Sequence, residues 1–403
     1  MTPEFHMPTG PALTTLDAVL TSSGLPDFKQ IYDVVHKANV LSDKAQAAAI
    51  ETRKVKAEAK KLEARVAKAE ELLALKPMTD TKVVASGDIP NGEVELVEAC
   101  KVFAGIKSKM LVPVWKWDAS HPMVPAKNPD YIFREDILMR ALYALVTNQR
   151  MYLQGHTGSG KTTLLEQIAA HLNYPFVRIN FDSEITRMDL IGRDTLVVDG
   201  GVTTSKFVDG LLPQMMQTPC IGCFDEIDFC RPDVAYVMQS ALENNSLRIT
   251  EDGGREVTPN PMFRMFATGN TVGQGDEHGM YQGARPQSMA FLDRFTVWAK
   301  VDYLDSGDRY TLIRKSAPDL DEDTAGIINK YTTEHLQGFR DGKVIQPISP
   351  RGMIAVAKAT QHLTSVNTDK KKALRMAMYM TILDRASSTD YGTLKEIVDR
   401  VTR

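Results

Sequence analysis

The first sustained periodicity in the chain runs from Ser42 to Lys76. There Ala48, Thr52, Val55, Ala59, Leu62, Val66, Ala69 and Leu73 recur at spacings of four and three in an Ala-, Lys-, Glu- and Leu-rich stretch that stops before Pro77. This spacing predicts a long helix over residues 42–76, N-capped by Ser42, with a modestly apolar coiled-coil seam. The seam suits pairing between subunits and equally well packing within the chain, for example on the Asp27 to Val40 segment. Ahead of it, residues 1–26 are rich in Pro, Thr, Ser and Gly and read as flexible. Glu4-Phe5-His6-Met7 has the form of a cloning remnant, which would make residues 1–6 foreign and Met7 the native start. Turn signals at Ser86-Gly87-Asp88 and Pro90-Asn91-Gly92 precede a stretch, Glu93 to Phe103, that reads as helical. From Leu111 to Asp130, Pro113, Pro122, Pro125 and Pro129 stiffen the chain and Trp115 and Trp117 anchor it, so an ordered strap is expected.

Beyond the strap the pattern changes. Short apolar runs at Met151 to Leu153, Phe176 to Asn180, Cys220 to Phe224, Phe263 to Ala267 and Phe295 to Val301 alternate with helical spacing, as at Leu164, Leu165, Ile168 and Leu172. Such alternation predicts an α/β domain over residues 131–302, a five-stranded parallel sheet with helices on both faces. No comparable strand follows Tyr303, so residues 303–403 read as a helical lid domain. The expected division is then an N-terminal extension over 1–101, a Pro/Trp strap over 102–130, the α/β domain and the lid. No repeat at a fixed period is apparent.

Composition narrows the partners without changing this outline. The 403 residues are 43% hydrophobic and 25% charged with a formal net charge of −3, enough apolar material for several cores and no global pull toward nucleic acid or anionic membrane. No run of 18 or more apolar residues is present, so no membrane span is expected. Of the four cysteines, Cys220 and Cys223 form a CxxC inside an apolar run whose alternation sends them to opposite faces, and no second pair follows, so neither zinc nor redox chemistry is expected. A reducing cytoplasm, bacterial or that of a phage-infected host, is the expected compartment.

The chemistry sits at the ends of the apolar runs. Gly155-His156-Thr157-Gly158-Ser159-Gly160-Lys161-Thr162, followed by Thr163, fits G-x-x-x-x-G-K-[ST] between a strand and an amphipathic helix, the context an ATP-binding P-loop requires. Glycines let backbone N–H groups curl round phosphates, Lys161 reaches the β- and γ-phosphates, and the Thr162 hydroxyl serves Mg²⁺. The run ending Asp225-Glu226 has Walker B form, with Asp225 for Mg²⁺ and Glu226 to polarise the attacking water. Phe266-Ala-Thr-Gly-Asn270 would bring the Asn270 carboxamide between these two strand ends as a sensor. Arg294, after a short helix and just before the last strand, would lie at a subunit edge, suited to a neighbour's γ-phosphate.

With these motifs in place, residues 154–303 resemble the MoxR group of AAA+ ATPases, and within it the CobS-like ATPase subunits of cobalt chelatases. The phrases that carry the resemblance are Arg178-Ile-Asn-Phe-Asp182, Arg187-Met-Asp-Leu-Ile-Gly192, Asp225-Glu-Ile-Asp228 with Arg231-Pro-Asp-Val234, and Phe266-Ala-Thr-Gly-Asn-Thr-Val272 with Gly279-Met-Tyr-Gln-Gly283. Weaker similarity reaches back to Val102 and forward to Ser349-Pro-Arg351. The resemblance implies a homo-oligomeric, hexameric ring in which Lys161, Thr162, Asp225, Glu226 and Asn270 form the cis half of an ATP site. Arg294 would be the finger from the adjacent subunit and Arg351 the sensor-2 arginine of the lid. It further implies hairpin insertions over Gly192 to Leu212 and Leu247 to Thr258. The expected work is ATP hydrolysis that remodels a partner protein complex, one bearing a von Willebrand A domain in the chelatase and MoxR systems. The alternatives are a true cobalt chelatase subunit and a nucleotide-gated scaffold. Nucleic acid is a poor substrate for the second hairpin, which sets Arg248 and Arg255 against Glu251, Asp252 and Glu256. CobS-like chains carry only a short segment ahead of the strap, whereas roughly a hundred residues precede it here, and substrate choice usually lives in such appendages. Phage-borne members of the family make a different, host-side task a further reading.

Overall fold

A computed structural model of the chain describes residues 90–403, apart from 183, 200–201, 276–280 and 367–368, together with Asp33 and Lys37. The coiled-coil helix expected over 42–76 and the proposed cloning remnant lie outside the described residues. The first elements are β1 (Gly92–Glu98), the single turn α1 (Ala99–Val102) and β2 (Leu111–Trp117), with β1 and β2 antiparallel and Gly92 opposite Trp117. The helix expected over Glu93 to Phe103 is therefore a strand for its first six residues. Period-two alternation in Glu93-Val-Glu-Leu-Val-Glu98, matched by a partner strand that buries Val112 and Trp115, outweighs the helix propensity of its glutamates. This pairing joins residues on both sides of the expected 101/102 boundary. The strap is tied down through its tryptophans: Trp115 stacks on Trp117 at 4.4 Å, and the Trp117 indole N–H donates to the Asn173 carbonyl at 2.7 Å.

The α/β domain follows as α2 (Glu135–Thr147), β3 (Met151–Gln154), α3 (Lys161–His171), β4 (Phe176–Asn180), α4 (Arg187–Ile191), β5 (Gly192–Asp199), β6 (Val202–Asp209), α5 (Leu211–Gln217) and β7 (Ile221–Asp225). Then come α6 (Pro232–Ala235), α7 (Gln239–Leu242), β8 (Leu247–Ile249), β9 (Arg255–Val257), β10 (Arg264–Gly269), α8 (Met289–Asp293) and β11 (Val297–Lys300). The five core strands form one parallel sheet in the order β11-β3-β10-β7-β4. β7 and β10 are buried along their whole length, as strands covered on both faces must be. Apolar side chains divide between the two faces: Cys220 and Phe224 join one core and Ile221, Cys223 and Phe266 the other. The two cysteines thus sit on opposite faces, free and buried.

Parallel strands with crossover helices put every strand's carboxyl end on the same edge, the usual place for a ligand in such sheets. Register makes this concrete, because Gly269 lies opposite Gln154 and Asn180 opposite Asp225. The two insertions are antiparallel hairpins, β5 with β6 and β8 with β9. Residues beyond Tyr303 form α9 (Ser306–Ser316), α10 (Glu322–Arg340), α11 (Pro350–Val366), α12 (Lys370–Thr381) and α13 (Ser388–Val401) around their own core of Ile328, Tyr331, Val356, Leu374 and Val398. Four of these helices start at an Asp or Ser whose side chain accepts from the backbone N–H three residues on. Among the described residues no helix is long and apolar enough to cross a membrane.

Candidate functional site at the carboxyl edge of the sheet

The loop from Gly155 to Gly160 joins β3 to the first turn of α3. Gly158 is held at φ +76°, and a Cβ there would stand 2.5 Å from the Ser349 Cβ, so glycine is demanded both by the left-handed backbone and by the approach of the lid. Ser159 is buried with an unpartnered Oγ. His156 is half-buried, its Nδ1 2.6 Å from the Tyr281 hydroxyl and its ring edge-on to Phe339 of α10. Thr157 is exposed and its hydroxyl lies 3.4 Å from the Asn270 carboxamide oxygen.

Lys161 is only 7% exposed, and its ammonium donates to the Gly155 carbonyl at 2.6 Å, the His156 carbonyl at 3.2 Å and Asn270 Oδ1 at 2.9 Å. Burial pulls its pKa down to about 8, against the pull of Asp228, Asp225 and Glu226 upward. The Thr162 hydroxyl donates to Asp225 Oδ1 at 2.7 Å, and Thr268 of β10 donates to the same oxygen. Thr163 follows on α3, half-buried. Glu226 sits at the end of β7 with φ +56°, its backbone N–H 3.1 Å from the Thr268 hydroxyl. Burial and the neighbouring Asp225 and Asp228 raise its carboxyl pKa. Lys161, Thr162, Asp225, Glu226 and Asn270 are therefore brought into one cluster by the start of α3 and the ends of β7 and β10.

Arg351 and Arg294 stand outside that hydrogen-bonded cluster. Arg351 is exposed in the first turn of α11, near enough to α3 for its charge to act on Glu166. Arg294 caps α8 and pairs with Glu243 at 2.6 Å, its other contact being the Ala290 carbonyl. The hairpins are tied to each other and to the core: Arg255 of β9 pairs with Asp209 at the end of β6, and Arg187 of α4 with Glu251 at 2.7 Å.

Four residues in or around the cluster escape the sequence reading. Asp228 is fully buried, and its Oδ2 accepts from the backbone N–H of Asn270 at 2.9 Å and of Thr271 at 3.0 Å. It therefore fixes the turn that aims Asn270. Thr268 bridges Asp225 to the Glu226 backbone, Arg178 pairs with Asp225 Oδ2, and the Tyr303 hydroxyl donates to the Thr157 carbonyl at 3.1 Å. Asp228 and Thr268 lie within motifs already singled out, so their position three residues after Asp225 and two before Asn270 was the available signal. Arg178 and Tyr303 gave no signal of contact, because their partners are distant in sequence.

This donor set suits a magnesium nucleotide. Among the described residues no three His, Cys, Asp or Glu gather as a metal cage. One carboxylate and one hydroxyl leave most of an octahedral shell to phosphate oxygens and water, as Mg²⁺ prefers. The unpartnered Ser159 Oγ and the buried Lys161 ammonium supply a donor and a charge where a phosphate would lie at a helix N-terminus.

The family model for the dynein-related subfamily of AAA domains matches residues 150–295. The aerobic cobaltochelatase subunit CobS of Sinorhizobium sp is 35% identical over 276 residues, which is 67% of this chain and 82% of that protein. An uncharacterized protein of Staphylococcus saprophyticus is 29% identical over 198 residues, 49% of this chain and 72% of the relative. Among solved structures, the Thermotoga maritima RuvB Holliday junction branch migration motor is similar over 67% of this chain and 75% of its own, with a TM-score of 0.44 and 15% identity.

Proposed function

This chain belongs to the CobS-related AAA ATPases, and we propose that it binds ATP with Mg²⁺ at the β3–α3 loop and hydrolyses it to remodel a partner protein complex, working as a hexameric ring. One observation carries the reading. The Lys161 ammonium joins the loop carbonyls to Asn270, while Asp225 is joined to Thr162, so the ends of β3, β7 and β10 meet at one point.

In this reading the residues 155–163 wrap the phosphates, Lys161 neutralises the β- and γ-phosphates, and Thr162 with Asp225 holds the cation. Bound Mg²⁺ supplies charge neutralisation across the transferring phosphoryl group. Glu226 orients the attacking water and accepts its proton as the water oxygen bonds to the γ-phosphorus and the bond from that phosphorus to the β,γ-bridging oxygen breaks, releasing ADP and phosphate. Its raised pKa suits that task, since a carboxylate closer to neutrality is a better base. Asn270 holds the water or γ-phosphate from the opposite side, kept in place by Asp228. Arg294 acts on the neighbouring subunit's site, and Arg351 reaches the nucleotide from the lid.

The 35% identity to CobS favours a second reading, an ATPase subunit of a cobalt chelatase. Against it stands the third of this chain that the match to CobS leaves uncovered. A partner with a von Willebrand A domain would fit either reading, and the presence of both Glu226 and Arg294 argues against a scaffold that only binds nucleotide. The test is Glu226→Gln: binding of ATP with Mg²⁺ should persist while turnover falls by about two to four orders of magnitude, the usual worth of a positioned base. Turnover near the parent rate would remove Glu226 from the mechanism. The partner held by this trapped form then separates the remodelling and chelatase readings.

A further inference from the structure

Asp225 carries more partners than its place in the cation site requires. Oδ1 accepts the hydroxyls of Thr162 and Thr268, and Oδ2 is paired with Nη2 of Arg178. Arg178 comes from β4, which runs beside β7 with Arg178 opposite Cys223 and Asn180 opposite Asp225. The Asp225 side chain is 3% exposed and that of Arg178 46%, so a guanidinium reaches a buried carboxylate from the solvent side. The same group lies 3.3 Å from the Asn180 carboxamide oxygen, and its charge also acts on Glu166 of α3.

Two buried arginines of this domain, Arg150 and Arg264, are used differently. Both give their N–H groups to backbone carbonyls, Ala241 at 2.9 Å for one and Leu145 at 2.5 Å for the other. They are structural, because their removal would strand buried carbonyls. Arg178 has its main partner in a carboxylate that the cation also needs, and its half-exposed side chain has water to turn into.

On the reading that Thr162 and Asp225 hold the divalent cation, we propose that Arg178 competes with that cation for Asp225, and so sets the Mg²⁺ concentration at which the site takes up nucleotide. A buried carboxylate requires a counter-charge. Guanidinium and cation both supply one, and held together on one carboxylate they repel each other across a few ångströms of shielded interior. Only the arginine is half exposed, so its guanidinium can turn into water while a divalent cation takes over as the counter-charge that buried Asp225 needs. Arg178 is a positioning residue here, acting on the cation through Asp225.

The test uses the full chain carrying Glu226→Gln, with a fluorescent ATP or ADP analogue titrated at stepped Mg²⁺ concentrations, with and without Arg178→Met. The half-saturating Mg²⁺ concentration should fall about fivefold, the scale of an ion pair whose arginine partner is half exposed, and equally for both nucleotides. Arg178→Lys, which keeps the charge, should stay near the parent value, and Arg178→Gln replaces the methionine variant if that one does not fold. An unchanged or raised Mg²⁺ requirement overturns the proposal. A selective loss of ATP over ADP, with the Mg²⁺ requirement unmoved, also overturns it and assigns Arg178 to the γ-phosphate. Failure of the Glu226→Gln parent to bind nucleotide at any Mg²⁺ concentration would instead sink the nucleotide site itself, and this inference with it.

Discussion

Lys161 is the most expensive side chain in the cluster to keep charged, and its cost has a measurable signature. Its ammonium titrates at about 8 where an exposed lysine titrates at 10.5, with burial as the leading cause. A gap of roughly 2.5 pH units corresponds to ~3 kcal/mol by which the fold disfavours the charged form. The direction is fixed by linkage. Between pH 8 and 10.5 the unfolded chain binds more protons at this residue than the folded one, so stability rises with pH across that window. Lys161→Met keeps the stem and removes the titration. Between pH 7 and pH 10 the parent should therefore gain on the variant by on the order of 2 kcal/mol, every shared group cancelling in the difference. At pH 7 alone the sign is less informative, because the variant also loses three hydrogen bonds, to Gly155, His156 and Asn270, each worth about 1 kcal/mol. The assay is urea denaturation of both proteins at the two pH values in nucleotide-free buffer. A difference that stays flat from pH 7 to pH 10 would refute the claim that Lys161 is held charged against its burial. The same reasoning predicts proton uptake when phosphate arrives near pH 8, visible as a buffer-dependent binding enthalpy in the parent and absent in the variant.

Asp228→Ala should cost about 2 to 4 kcal/mol in urea denaturation, because two buried backbone N–H groups, those of Asn270 and Thr271, lose their acceptor; Asp228→Asn, which keeps an oxygen, should cost less than half of that. Arg294→Ala should lower turnover by about 10³ to 10⁵ with nucleotide affinity kept. Mixed with Lys161→Ala chains it should recover activity at interfaces that combine an intact loop with an intact finger, and a verified mixed oligomer with no recovery at any ratio would place the arginine's action within its own chain.

The core strands and the cluster were legible because each rests on local rules. Five apolar runs of strand length alternating with helices define a parallel sheet, and the phosphate loop and the acid pair lie at its strand ends, where topology alone brings them together. The stretch from Glu93 misled because the helix propensity of its glutamates competes with a period-two alternation inside one short window, and the partner strand with Val112 and Trp115 that decides between them lies beyond it. Arg178 and Tyr303 illustrate the other limit. Arg178 in β4 looks like any polar position on an outer strand, and Tyr303 like the start of a linker, until the sheet order puts β4 beside β7 and the lid beside Thr157.

The contacts also explain why the loop and the lid must respond together. Gly158 leaves no room for a Cβ against Ser349, His156 is packed edge-on against Phe339, and the Tyr303 hydroxyl holds the Thr157 carbonyl. Each of those lid-side residues lies at or beyond the start of the helical domain, and each partner is in the six residues before Lys161. A close-packed contact of this kind does not deform continuously; it either holds or repacks. Any rearrangement of the loop around a phosphate therefore has to be met by movement of the first lid segment or of α10 and α11. Arg351 is carried on α11 two residues past Ser349, so its position is set by the same packing that the loop glycine permits. The lid arginine and the phosphate loop are thereby parts of one mechanical unit, although nearly two hundred residues of sequence separate them.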